Sequence, residues 1–275
     1  MNLDYYTLLS PEPIRLSVGS IKSPTLREIG DITFRQFGIY QVYLKLTPKD
    51  YYNEINKEKL PYWESLTDEQ RSEMTMWEVV MLEPDVVPGY LRMFNFFFLE
   101  RVIFREGVFL VIDTDDYKTP DDELEINKDN LRGILHHDLF TDVLDVIQQV
   151  CCMKSKKPVN IKDIKFKNDK TRRMYERMLK AKEEKDRIEA KKNAKDFAIP
   201  NVISSVAAKS NNLNIINIWD ATLFQLFDQF NKLRSNDVHY INEVRVSVWG
   251  DEKKQFDPAL WYKNQFDHEE NDGLF

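Results

Sequence analysis

Three clusters carry residue types able to do chemistry. Asp113-Thr114-Asp115-Asp116, followed by Asp121-Asp122-Glu123, is an acidic run of the kind that can bind calcium. The EF-hand loop is the test: counted from Asp113, the position that needs glycine holds Lys118 and the position that needs glutamate holds Leu124. An exposed acidic turn at a strand end is the better reading. His136-His137-Asp138 resembles a metal or acid–base cluster. Adjacent side chains on a helix point about 100° apart, so two neighbouring imidazoles do not converge on one ion. Asp138 reads instead as a helix N-cap. His239 and His268 have no partner at a ligating spacing. Cys151 and Cys152 are adjacent, which opposes an unstrained disulfide, and no other cysteine completes a zinc site. Two reduced, partly buried thiols at a helix end are expected. A metal-dependent hydrolase or nuclease, built from the acidic loop with His136 or His137, is therefore a remote alternative. No cofactor or metal is expected, and the chain reads as non-enzymatic.

The elements around these clusters read as mainly α with small β elements. Ile14–Lys22 alternates around Gly19 and predicts a hairpin. Thr25 with Glu28, and Thr67 with Gln70, are capping boxes that open helices. Phe34, Phe37, Tyr40, Gln41 and Leu44 extend a helix to about Lys45, and Thr47-Pro48 restarts one through Tyr52 and Ile55. Met74, Trp77, Val80 and Met81 supply the apolar stripe after Thr67, and Pro84 and Pro88 stop it. Gly89–Phe104 is aromatic on nearly every side and predicts a central buried helix. Gly107–Asp113 predicts a strand, with Glu123–Ile126 pairing to it; Leu131–Leu135 and Leu139–Val150 predict short helices.

Asn168–Asp196 contains neither glycine nor proline and predicts a long charged helix linking two modules. Between Lys165 and Asp196 there are thirteen Lys and Arg against seven Asp and Glu. Aromatic interleaving is limited to Phe166 and Tyr175, so a solvated helix is favoured over a nucleic-acid site. Ile199–Ser210 predicts a helix with Pro200 in its first turn. Trp219, Leu223, Leu226, Phe227, Phe230 and Leu233 form one wide apolar face, Tyr240–Trp249 fits helix or strand, and Asp257-Pro258 caps a last short helix carrying Leu260, Trp261 and Phe266. The expected modules are an N-terminal α+β module over 1–162, the charged helix over 163–196 and a C-terminal helical module over 197–275.

Composition sets the limits. Of 275 residues, 42% are hydrophobic and 12% aromatic, enough for a sizeable core. The net charge of −7 argues against general nucleic-acid binding. The longest apolar run, Met93–Leu99, falls far short of a membrane span, and the N-terminus lacks a basic n-region. A soluble protein without membrane contact, staying in the compartment where it is made, is the expectation.

The blocks Asn201–Ala208, Asn217–Thr222, Gln225–Phe230, Val248–Asp251 and Phe256–Asn264, with Asp4–Pro13 and Ser23–Ile29 at the other end, resemble a family encoded in the tail-morphogenesis region of bacteriophages and prophages of Gram-positive hosts. The resemblance implies a tail assembly chaperone, a factor that coats the tape-measure protein until the tail tube polymerises. It implies apolar grooves for helices, a partner in the tape measure or another tail protein, and a homo-oligomer. The chain is larger than the compact chaperones of this class, so a structural tail or connector component of the virion is the alternative. The residues assigned to partner binding are Trp219, Leu223, Phe224, Phe227, Phe230, Trp249, Trp261 and Tyr262.

Overall fold

The structure is a computed structural model that describes residues 1–153, 171–175, 177–178, 198–251 and 256–263. It is mainly α, with a two-stranded and a three-stranded antiparallel sheet. The chain divides into two compact units. One holds Met1–Met153 and Trp219–Gln225; the other holds the described residues of Lys154–Ile218 and Leu226–Lys263. Of the charged helix expected over 163–196, residues 171–175, 177 and 178 are helical; the rest, and both expected module boundaries, lie outside the described residues.

In the first unit, helix α1 (Tyr5–Leu9) leads into hairpin β1 (Ile14–Leu16) and β2 (Gly19–Ile21), as the alternation predicts. Gly19 sits at φ 144°, and a Cβ there would lie 2.9 Å from Val111 Cγ1, so only glycine fits. Thr25 and Glu28 form the predicted capping box of α2 (Leu26–Ile32), and Lys22 Nζ adds a 2.7 Å bond to Glu28 Oε1. Helix α3 (Phe34–Lys45) buries Phe37, Tyr40 and Leu44. Pro48–Asp50 starts one helical turn that continues as a π-helical turn, Tyr51–Ile55. Short helices α4 (Leu60–Ser65) and α5 (Asp68–Glu73) follow, the second opened by the Thr67–Gln70 box.

The sequence reading then needs correction at several points. The stripe after Thr67 is not one helix: a third capping box, Thr75 with Glu78, opens a separate α6 (Met76–Leu82). Pro88 does not stop a helix but stands in the first turn of α7 (Val87–Phe97), where its missing N–H costs nothing. The buried helix expected over Gly89–Phe104 ends at Phe97, and Arg101–Arg105 is strand β3. The Asn95 amide makes that edge possible: Nδ2 donates to Val102 O at 2.7 Å and Oδ1 accepts from Val102 N–H at 2.9 Å. Glu106 and Gly107, both at positive φ, make the two-residue turn into β4 (Val108–Ile112). The strand pairing with β4 on its other side is β5 (Leu131–Leu135), expected as a helix. Leu124 and Ile126 instead pack on Ile103 and Ile112, on the face of the sheet rather than its edge.

Helix α8 (His137–Val150) closes the core of this unit. Its N-cap is His136 rather than Asp138, with no side-chain cap bond. Phe140 lies among Phe94, Phe109, Tyr90 and Trp77 with ring centroids 5.2–5.9 Å apart. Three of these pairs are edge to face and the Phe109 pair is stacked, and such pairs each contribute about 0.5–1.5 kcal/mol beyond area burial. Cys151 is buried and Cys152 half-buried, and the two are not joined in a disulfide. Cys152 takes φ 56°, the left-handed position that ends the helix.

Residues Trp219–Gln225 complete the first unit from far along the chain. Leu26 N–H donates to Ala221 O at 2.9 Å and Leu223 N–H donates to Pro24 O at 3.1 Å. Arg27 Nη2 donates to Asp220 Oδ1 at 2.7 Å, and Gln225 Nε2 to Leu9 O at 2.9 Å. In the second unit, α9 (Ile199–Lys209) carries Pro200 in its first turn as predicted. Helix α10 (Leu223–Trp249) starts in the first unit and runs through the second. Tyr240–Trp249 is thus helix. The last short helix is absent from the described residues: 258–262 form turns, and Phe266 lies outside them.

Candidate partner-binding surface

The clusters that could have done chemistry are occupied by structure. Arg101 is nearly buried and donates to Asp116 O at 2.6 Å, Thr119 O at 2.8 Å and Asp121 Oδ1 at 2.5 Å. Arg105 donates to the carbonyls of Asp121 and Leu124, and Arg132 pairs with Asp113. The acidic run is therefore a loop tied down by guanidinium groups. The Asp116 carboxyl accepts from Thr119 and Lys118, which hold it below the usual carboxylate range. His137 Nδ1 lies 2.9 Å from Asp138 Oδ1, an exposed pair that lowers the Asp138 carboxyl. Among the described residues, no three His, Cys, Asp or Glu side chains come together to hold a metal. An open hollow of about 380 Å³ is lined by Lys49, Trp63, Asp68 and Arg71, but the Arg71 guanidinium is spent on the Glu64 and Leu66 carbonyls.

The residues assigned to partner binding fall into three groups. Leu223 and Phe224 are buried, the second with its ring 6.1 Å from Tyr5. Trp219, Phe227 and Phe230 are half-buried; Trp219 stands in a 3-10 turn, Ile218–Asp220, ahead of the helix rather than on its face. Trp249, Trp261 and Tyr262 are exposed, and the last two meet edge to face at 5.2 Å. The structure brings Tyr262 near α10, where Lys232 Nζ donates to the carbonyls of Tyr262 and Lys263.

The spacing on α10 explains what sequence reading missed. Leu223, Leu226, Phe230, Leu233, Asp237, Ile241, Val244 and Val248 follow one another in steps of three or four residues, so one stripe runs the length of the helix. Leu223 and Leu226 are buried, Phe230 and Leu233 half-buried. Beyond Asp237 the stripe is bare: Ile241, Val244 and Val248, with Val238, Tyr240 and Trp249 beside them, are 46–77% exposed. Apolar faces left bare in this way are a common feature of interaction surfaces in general. The signal was only partly available: the Leu223–Leu233 spacing carried forward reaches Val244, but Ile241 and Val248 come into line only with a second four-residue step after Asp237. Asp237, falling in the stripe, broke the pattern. Its carboxylate pairs with Lys209 of α9.

Residues 190–265 match the model of a family described as the YomV second domain. The match covers well under half of the chain and contains all of α9 and α10 and all the C-terminal blocks that carry the tail-region resemblance. It points to a phage-associated protein. No curated protein and no solved structure matches the chain. Among the described residues, no helix is long and apolar enough to cross a membrane.

Proposed function

We propose that this chain is a non-enzymatic assembly factor of a phage tail, acting in the host cytoplasm as a chaperone for the tape-measure protein before the tube polymerises. The observation that carries this reading is the exposed aromatic set of the second unit, Trp249, Trp261 and Tyr262. A tape measure is a long helical chain with apolar stripes that aggregates when left uncovered. Helix-in-groove contact, repeated along such a chain, gives avidity from individually weak sites. The match over residues 190–265 places the likeness to a phage-region family on the same part of the chain.

Co-expression is the direct test. The expected outcome is that the tape-measure protein becomes more soluble and co-purifies with this chain, and that Trp249→Ala with Trp261→Ala abolishes both effects. No complex and no gain in solubility overturn the reading. Mass spectrometry of purified particles then decides the step: an assembly factor is absent, whereas a structural tail or connector component is present in fixed copy number.

A further inference from the structure

The distal half of α10 has the charge order of a surface that fits itself. Asp237 stands four residues before Ile241 and Arg245 four residues after it. Arg245 is exposed, and Asp237 keeps 49% of its side chain exposed while paired with Lys209. Val238 and Val244 stand three before and three after. We propose that α10 docks, antiparallel, on the α10 of a second copy of this chain, with Ile241 at the two-fold axis.

In that register each residue a given number of places before Ile241 faces the residue the same number after it on the other helix. Val238 meets Val244, and Asp237 meets Arg245. Because the interface is isologous, each contact occurs twice. Two carboxylate–guanidinium pairs then bracket a centre formed by Ile241, Val238 and Val244 of both copies. A parallel pairing would set Asp237 against Asp237 and Arg245 against Arg245, and like charges brought face to face cost several kcal/mol. Asp237 already pairs with Lys209 within the chain, and its half-exposed carboxylate leaves an edge for a second cation; Arg245, the same four residues beyond Ile241, supplies it from a second copy. The proposal goes beyond the tape-measure reading and does not depend on it. If both hold, each dimer offers two sets of Trp249, Trp261 and Tyr262, and the partner is gripped bivalently.

Sedimentation velocity on the full chain alone tests it, with no partner present. The wild type should be a dimer. Ile241→Asp should raise the dimer dissociation constant ~10-fold or more while leaving the circular dichroism unchanged; Ile241 is 65% exposed, so the fold does not need it. Asp237→Arg and Arg245→Asp should each weaken the dimer, and the two together should restore it. A wild type that is monomeric at ~100 µM overturns the proposal. So does a dimer indifferent to these changes, or a double variant no tighter than either single one. A dimer that responds as expected, in a chain that binds no tape measure, upholds the pairing and removes the proposed function instead.

Discussion

At the scale of single residues, the informative positions are those where no other side chain fits. A Cβ on Gly133 would lie 2.5 Å from Val18 Cα, a backbone atom that cannot swing aside. Gly133→Ala should therefore lower stability by about 1–3 kcal/mol, read as a lower urea midpoint with an unchanged slope. Glu28 carries a pH dependence. Burial opposes its ionisation, but the Lys22 ammonium and the Thr25 N–H outweigh it and hold the carboxyl below its ordinary value. A folded pKa below the unfolded one gives stability that is present above the unfolded value, near ~4.3, and is lost as pH falls through the folded one. Glu28→Gln should flatten the acid limb of a stability–pH curve below about pH 5 and leave neutral stability less changed in slope. Burial also pushes the Cys151 thiol well up, with Cys152 beside it adding to the effect. In the native protein, iodoacetamide should modify Cys151 at least ~10-fold more slowly than after unfolding, as peptide mass mapping would show.

At the scale of elements, legibility followed how local the cause was. The boxes at Thr25 and Thr67 and the hairpin around Gly19 depend on residues within a few positions of each other, and the structure forms them. The break at Phe97 was not legible, because what turns Arg101–Arg105 into a strand is β4 beside it and the Asn95 amide. Leu131 and Leu135 are four apart and read as helix; the open side of β4 overrode that spacing. Asn95→Ala should cost about 1–3 kcal/mol by leaving two edge groups of Val102 unmet. Hydrogen exchange at Val102 should rise selectively, while a general loss of protection would contradict this assignment. The partner surface was half legible. The aromatic residues stood out, but Leu223 and Phe224 are buried in the first unit, and the bare stripe at Ile241, Val244 and Val248 carries no aromatic residue to draw the eye.

At the scale of the whole molecule, the first unit is discontinuous in sequence. Trp219–Gln225 bonds to Pro24, Leu26, Arg27 and Leu9, and Leu223 is wholly buried. Leu223→Ala should destabilise by about 2–5 kcal/mol, and the loss should appear in the unfolding of the N-terminal unit, for instance in the near-ultraviolet signal of Trp63 and Trp77. That arrangement has a consequence during synthesis. The ribosome releases Met153 long before Trp219, and the interval of about 66 residues takes roughly 3–13 s at ordinary elongation speeds. For that time the nascent N-terminal unit waits for its closing segment, with Pro24 O and the Leu26 N–H unmet. A ribosome stalled within that window would hold an unfinished body, open to proteolysis until Trp219–Gln225 emerges.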